Sequence, residues 1–221
     1  MNAWGELRNL HKGEIGVVIG NGTGLNNVPL DFLYQYPTFG TNRIYEFNGF
    51  SPDYYVCVNP KIITQSQHEI KAVETLKFIS NNAIYKGDAI RLNTSTTGHT
   101  LPAFSTEPYI WIPEGFTVTY VCLQLAFFMG FKTILLVGVD HKYKHNGKPN
   151  QLLVSNGNDP NHFSKDYFPK GYEWNAPDLE KCEQYYALAE QVYRNAGREI
   201  INLSDPTELD IFEKGNINKW L

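Results

Sequence analysis

Residues 15–25 read Ile-Gly-Val-Val-Ile-Gly-Asn-Gly-Thr-Gly-Leu, a β-branched apolar run that leads into a glycine-rich loop. A short run of this kind, ended by glycine, predicts a buried first strand. Glycines let the backbone approach a ligand closely, and a helix that follows such a loop offers its N-terminus to phosphate. A tight turn that only reverses the chain is the alternative. We predict a nucleotide-binding loop, called the Gly loop, formed by Gly20, Asn21, Gly22, Thr23 and Gly24.

The spacing of these glycines separates the Gly loop from two familiar nucleotide motifs. It is GxGxG, whereas the dinucleotide fingerprint is GxGxxG, and it lacks the Lys and Ser/Thr of a P-loop. The motif therefore favours nucleotide binding but does not identify which nucleotide is bound.

The rest of the chain alternates predicted strands and helices. Helices are predicted over residues 27–35, 68–79, 117–129 and 178–196, and strands at 39–45 (with its loop), 53–58, 133–139 and 199–203. Residues 83–113 are less regular and predict a strand with a mobile loop around 94–99. This order predicts an α/β fold, a Rossmann-like and mostly parallel sheet with helices on both faces. We expect a single nucleotide-binding domain over residues 1–221.

Polar residues follow three of the predicted strands, at the sheet edge where ligands bind in such folds. The Gly loop follows the first strand, Asn42 the second, and Asp140 the strongly apolar strand at 133–139. Asn42 suits a ribose or a base edge, although asparagine is also common in plain turns. Asp140 suits a hydroxyl acceptor or a hydrogen-bond hub, with a helix cap or a surface carboxylate as the alternative.

Residues 141–177, called the lid, form a long polar segment rich in Pro, Gly and Asn. Loops of this length in a compact domain are usually functional or disordered. His162 is a candidate general base, since histidine titrates near neutral pH, and a solvated histidine is the alternative. Tyr143 suits a donor to a leaving phosphate, or simple packing. Several lysines make the lid basic, which attracts anionic substrates.

This region of the sequence also contains several residues of the kinds that bind metal ions. His141, His145 and His162 lie near Asp140 and Asp159 in the sequence. The turn signals between the first two histidines argue against the helical spacing that a closed zinc site needs. We therefore predict no metal site, while loose Mg²⁺ binding through Asp140 and a diphosphate stays open.

Composition excludes several classes of partner. The net charge is -4 and the 19 basic residues are scattered, which argues against a nucleic-acid or membrane-surface binder. Three distant cysteines without a CxxC motif predict reduced thiols and a cytoplasmic protein. The longest apolar stretch, near residues 118–129, is too short for a transmembrane segment. A homo-oligomer is compatible with these numbers.

Three blocks of the sequence resemble the bacterial sialyltransferases and the wider family related to 6-hydroxymethylpterin diphosphokinase. The opening at 18–25 is similar to their GNGPSL-type motif, and Thr41-Asn42-Arg43 is similar to their second-strand asparagine motif. The third block runs from residues 115–119 through 130–134 and 138–140. Two departures stand out, because Thr23-Gly24 replaces Pro-Ser, and Glu114-Gly115 stands where those enzymes carry an arginine. The second departure puts a sialic-acid donor in doubt.

The resemblance implies roles for individual residues. Asn21 and Asn42 would hold the nucleotide and its phosphate, and Thr117 and Thr119 would lie near the donor or acceptor. His162 would be the catalytic base and Tyr143 a tyrosine that stabilises the phosphate.

We therefore expect a glycosyltransferase that moves a sugar from a nucleotide-sugar to a hydroxyl of a glycan or small acceptor in surface-glycan synthesis, with a CMP-linked sugar as one candidate donor. Such an enzyme has a nucleotide-sugar as substrate and no obligatory cofactor. The first alternative is an Mg²⁺-dependent diphosphokinase that acts on a pterin-like alcohol. The second is a non-catalytic nucleotide- or glycan-binding protein.

Overall fold

The computed structural model describes residues 3–95 and 101–221. Its strands are β1 Ile15–Ile19, β2 Thr38–Thr41, β3 Tyr54–Cys57, β4 Leu76–Ser80, β5 Ile90–Leu92, β6 Thr94–Ser95, β7 Ile112–Pro113, β8 Thr133–Val137, β9 Leu152–Val154, β10 Glu173–Asn175, β11 Glu199–Asn202 and β12 Glu213–Lys214. Its helices are α1 Ala3–Leu7, α2 Leu30–Leu33, α3 Pro60–Gln65, α4 Gln67–Ala72, α5 Val118–Met129 and α6 Leu179–Asn195. Single 3₁₀ turns lie at Thr23–Asn27, Ile44–Glu46 and Ile217–Lys219.

Eight strands form the central sheet in the order β12-β11-β8-β1-β2-β3-β4-β5. Every pairing in this sheet is parallel. The two central strands, β1 and β8, are apolar along nearly their whole length because parallel sheets are covered on both faces.

Alternate residues of the strands feed two separate hydrophobic cores. Val18 and Leu136 point into a core with α1, α5 and α6. Their neighbours Ile19 and Val137 point into a second core with α2, α3, α4 and the aromatic residues of the lid. The period of two along a strand makes this division automatic. The predicted Rossmann-like sheet with helices on both faces is confirmed.

Two predicted elements differ from the structure. The helix expected over 68–79 is wrong in its second half, since α4 ends at Ala72 and residues 76–80 form β4 between β3 and β5. The helix expected over 27–35 is reduced to the single turn of α2, because Pro29 begins it and the preceding residues form a 3₁₀ turn. Of the loop expected at 94–99, residues 96–99 lie outside the described residues.

The sheet has its topological switch point between β1 and β8. The chain leaves β1 toward α2 on one face, and it leaves the β8 end toward α6 on the other face. Connections that diverge in this way open a crevice at the carboxyl ends of the two strands, where ligands bind in open α/β sheets. The two strand ends come very close, since a Cβ added to Gly20 would lie 2.4 Å from the carbonyl oxygen of Gly138.

The lid is partly ordered into secondary structure. β9 and β10 pair as an antiparallel ribbon, and aromatic residues near the second strand pack on the core with α3 and α4. None of the helices in the described parts of the chain is long and apolar enough to cross a membrane.

Candidate functional site

A cavity of about 750 Å³ lies beyond the carboxyl ends of the sheet, between the Gly loop, the start of α5 and the lid. Nine of the predicted site residues line it together. They are Gly20, Asn21, Gly22, Asn42, Thr117, Thr119, Asp140, Tyr143 and His162. Thr23 and Gly24 do not line it. The structure therefore brings most of the predicted site to one place, including the Gly loop and Asp140.

Asp140 packs its carboxylate into the concave side of the Gly loop. The Thr23 hydroxyl donates to its Oδ2 at 2.8 Å, and the Gly24 amide donates to the same oxygen at 3.1 Å. A Cβ on Gly22 would lie 2.4 Å from the carboxylate carbon. The Thr23 hydroxyl and the Gly24 amide are therefore directed at Asp140, and neither residue lines the cavity. Asp140 forms a hydrogen-bond hub that shapes the loop.

Asn21 links the first two strand ends and leaves one acceptor open. Its Nδ2 donates to the carbonyl and hydroxyl oxygens of Thr41 at 3.1 and 2.9 Å, and that hydroxyl donates to Ile19. Since a carbonyl can only accept, this network fixes which side of the amide is the nitrogen. The Oδ1 of Asn21 is then a buried acceptor without a partner in the described residues. Buried orphans of this kind are rare and favour a donor from a ligand.

Four non-glycine residues at the cavity adopt left-handed backbone. They are Asn42 at φ 51°, Phe116 at 63°, His141 at 53° and Asn150 at 64°. Such conformations cost free energy for residues with a side chain and concentrate at functional sites. Asn42 is held in place because its carbonyl accepts from the Tyr55 hydroxyl, while its Oδ1 lies 3.7 Å from the Cys57 thiol.

Helix α5 points its N-terminus at the cavity. Thr117 caps the helix, and its hydroxyl accepts from the Thr119 amide at 3.3 Å. The left-handed pair Gly115 and Phe116 turns the chain sharply just before the cap. The free amides and dipole of a helix start favour a negatively charged group, so this end of the cavity suits a phosphate.

The lid carries an aspartate–histidine pair. Asp159 Oδ2 lies 2.8 Å from Nδ1 of His162, and both side chains are more than nine-tenths buried. A carboxylate only accepts, so Nδ1 donates the proton and Nε2 of a neutral ring carries the lone pair. Nε2 makes no hydrogen bond to any residue within 3–95 or 101–221. Tyr167 stacks under the ring, with centroids 3.9 Å apart and planes 8° apart. His162 is therefore oriented as a proton acceptor.

Backbone contacts hold this pair against the Gly loop. His162 and Gly22 form an antiparallel bridge, and the Phe163 amide donates to the Asn21 carbonyl at 3.0 Å. Further along the lid, the buried Arg43 guanidinium packs 5.0 Å from the centre of the Tyr172 ring. His162 and the Gly loop are thus fixed relative to each other.

Tyr143 completes the group at the mouth of the cavity. The residue is 37% exposed, and its ring lies edge-on to His162, with centroids 5.9 Å apart. Desolvation of its hydroxyl raises the pKa of Tyr143, and the nearby Cys182, Asp140 and Asp159 raise it further. The hydroxyl stays protonated across the physiological range and remains a hydrogen-bond donor.

Two residues were missed as members of the site. The sequence pattern indicates Asp159 only as a metal ligand, although an Asp three residues before a His is a spacing that allows a local hydrogen bond. Glu114 also lines the cavity; its position just before the Gly-Phe turn was the only sequence signal.

The histidines of the lid do not assemble a metal site. Nε2 of His141 lies 3.0 Å from Glu183, whereas His145 accepts from the Gly147 amide. Within the described residues, no three His, Cys, Asp or Glu side chains are grouped so that they could hold a metal ion.

Comparison with known proteins yields two findings. The family model described as 6-hydroxymethylpterin diphosphokinase MptE-like matches residues 39–146. The structure of the sialyltransferase CstII from Campylobacter jejuni, in complex with the substrate analogue CMP-3FNeuAc, aligns with a TM-score of 0.50 at 15% identity, over 93% of this chain and 87% of that chain. No curated protein matches the chain. At this identity the structural likeness shows the fold. The resemblance predicted from the sequence, to the group that includes sialyltransferase-like and 6-hydroxymethylpterin diphosphokinase-like proteins, is confirmed.

Proposed function

We propose that this protein is a glycosyltransferase that takes a sugar from a nucleotide-sugar and transfers it to a hydroxyl acceptor. The observation that carries the proposal is the Asp159–His162 pair, bridged by its backbone to the Gly loop at the switch point of the sheet. This arrangement puts a proton acceptor beside the loop expected to hold the nucleotide. The sialyltransferase-like fold supports the same class of substrate.

The residues supply each part of the reaction. His162 Nε2 takes the proton of the acceptor hydroxyl while the oxygen attacks the anomeric carbon of the sugar. The bond from that carbon to the phosphate oxygen breaks, and the negative charge stays on the phosphate. The Tyr143 hydroxyl and the N-terminus of α5 stabilise this charge. The unpaired Oδ1 of Asn21 accepts from a ribose hydroxyl or a base amino group.

The biological setting belongs to the same proposal. A surface glycan or a small hydroxyl compound would be the acceptor. A cytoplasmic location is supported by the three buried cysteines, which are free thiols, as in reducing compartments.

The first experiment identifies the nucleotide and tests the base. Calorimetry with CMP-, UDP- and GDP-sugars should show one preferred nucleotide. His162→Ala should abolish release of the nucleotide while its affinity stays nearly unchanged. The matched control is His145→Ala, because His145 lies in the same lid but does not line the cavity. Unchanged turnover in His162→Ala would remove the base from the mechanism.

The diphosphokinase remains the second candidate because the family model bears that description. It would need Mg²⁺ held by carboxylates, and Asp140 is the expected ligand. Both oxygens of Asp140 already accept hydrogen bonds from the Gly loop, so the residue fits that role poorly. Strict Mg²⁺ dependence with transfer of pyrophosphate from ATP would favour this candidate. Tight nucleotide binding without turnover of any donor would instead indicate a binding protein.

A further inference from the structure

Glu114 places a buried carboxylate in the wall of the cavity. The residue is only 6% exposed, and it forms no ion pair with any residue in the two described ranges. Its side chain interacts with Asn82, whose Nδ2 lies 3.4 Å away, and with the Thr94 hydroxyl. Burial raises the pKa of Glu114, and these two hydrogen bonds only partly oppose the shift. A buried carboxylate so weakly satisfied favours further hydrogen-bond donors.

Contacts connect Glu114 to the reacting end of the cavity. The Thr117 amide donates to the Glu114 carbonyl at 3.2 Å, and the Tyr186 hydroxyl lies 3.4 Å from the Thr117 hydroxyl. Tyr143 is close enough to Tyr186 to affect its ionisation, and it packs against His162. The turn that carries Glu114 is therefore linked through these contacts to His162, and both residues line the same cavity. In the proposed reaction, the sugar being transferred lies in this cavity next to His162.

We propose that Glu114 makes the sugar subsite selective for an uncharged, hydroxyl-bearing sugar and against a sugar that carries a carboxylate. This inference rests on the proposed glycosyltransferase function. Neighbouring sugar hydroxyls donate to the Glu114 oxygens, as a carboxylate accepts in other polar sites. A second carboxylate in the same poorly solvated space would be repelled, since like charges interact strongly at low effective dielectric.

The test uses a matched pair of donors that differ at one carbon. UDP-glucose and UDP-glucuronate share the nucleotide and the ring, and differ only in a hydroxymethyl group against a carboxylate. We expect the wild-type protein to bind the neutral donor roughly tenfold more tightly or better, a difference of about 1.4 kcal/mol. If the protein prefers cytidine, CMP-sialate replaces the pair, and we expect it to bind no more tightly than CMP. Equal or better binding of the acidic donor overturns the inference.

The variant Glu114→Gln keeps the shape and removes the charge. It should lose most of the discrimination, whereas Glu107→Gln, at an exposed position on the same segment, should keep it. Discrimination that survives in Glu114→Gln overturns the inference. A variant that binds UMP and UDP-glucose equally less tightly does so too, because Glu114 would then contact the nucleotide. Should the variant not fold, the wild-type pair of affinities still decides.

The proposed function fails in a different way. If no nucleotide-sugar binds or turns over, the glycosyltransferase proposal fails and takes this inference with it. If nucleotide-sugars turn over without discrimination, only the inference about Glu114 fails.

Discussion

Asp159→Asn tests the orientation of the proposed base more sharply than removal of the histidine. In the structure, Oδ1 of Asp159 accepts from the backbone amide of Asn161 at 2.8 Å, while Oδ2 faces Nδ1 of His162. In the variant, the side-chain oxygen of the new asparagine must keep this hydrogen bond, because the backbone amide of Asn161 can only donate. The amide nitrogen then faces His162 and donates to Nδ1, so the ring proton moves to Nε2. In this tautomer Nε2 already carries a proton, so His162 cannot take the proton of the hydroxyl group that receives the sugar.

The expected loss follows from what general-base catalysis contributes. Removing it costs about 10²- to 10⁴-fold in kcat, or roughly 3 to 5 kcal/mol of barrier. Nucleotide affinity should stay close to that of the wild type, because the backbone bridge from His162 to Gly22 does not involve the carboxylate. The assay is the rate of nucleotide release at saturating donor, with donor affinity measured by calorimetry.

A matched control lies in the same lid. Asp166 is exposed, and Asp166→Asn should leave both kcat and affinity unchanged. If Asp159→Asn turns over at the wild-type rate, the assigned tautomer and the role of His162 are refuted. An equal loss of affinity and rate would indicate a collapsed lid rather than a misdirected base.

Three further predictions concern the Tyr143 hydroxyl, the Gly loop and the dependence of stability on pH. Tyr143→Phe should lower kcat about 10- to 100-fold at every pH from 6 to 9, because the raised pKa keeps the hydroxyl a donor throughout; a loss confined to one end of that range would contradict this in a pH–rate profile. Gly22→Ala should destabilise the fold by about 1 to 3 kcal/mol in denaturant unfolding and weaken nucleotide binding, because its Cβ would collide with Asp140, while Gly5→Ala meets no atom within 4 Å and serves as the control. Above pH 10 the melting temperature should fall, because burial raises the pKa of Tyr54 to about 12 and the folded state then keeps a proton that the unfolded chain loses. Tyr54→Phe should make that fall shallower, and an unchanged slope would count against the assignment.

The elements that were predicted correctly have a clear pattern within their own stretch of sequence. The strands at β1 and β8 are apolar on both faces, and the period of α6 is helical from its Asp178 cap onward. β4 was missed because the apolar residues before it, in α4, have helical spacing that continues smoothly into Leu76. Only pairing with β3 and β5 makes that segment extended, and such pairing has no local signature.

The candidate site also has parts that the sequence predicts and parts that it does not. The Gly loop and Asp140 were placed at one sheet edge because strand ends of a parallel sheet converge there. That Asp140 would fill the loop itself could not be predicted, since the contact joins residues far apart in the chain. The lid has no periodic pattern, so the partner of His162 could not be chosen among its acidic residues from spacing alone.

Two contacts position the proposed base, His162: one is local in the sequence and the other joins distant parts of the chain. This difference affects how the lid could be moved to another protein or varied. The hydrogen bond from His162 to Asp159 spans three residues, so a lid moved to another scaffold would carry this pair intact. The position of this pair at the cavity would be lost, because the backbone bridge that holds His162 joins it to Gly22, which follows β1. Laboratory evolution of new acceptor preference should therefore tolerate exchange of the β9–β10 ribbon far better than any change in the segment from Asp159 to Phe163 that rests on the Gly loop.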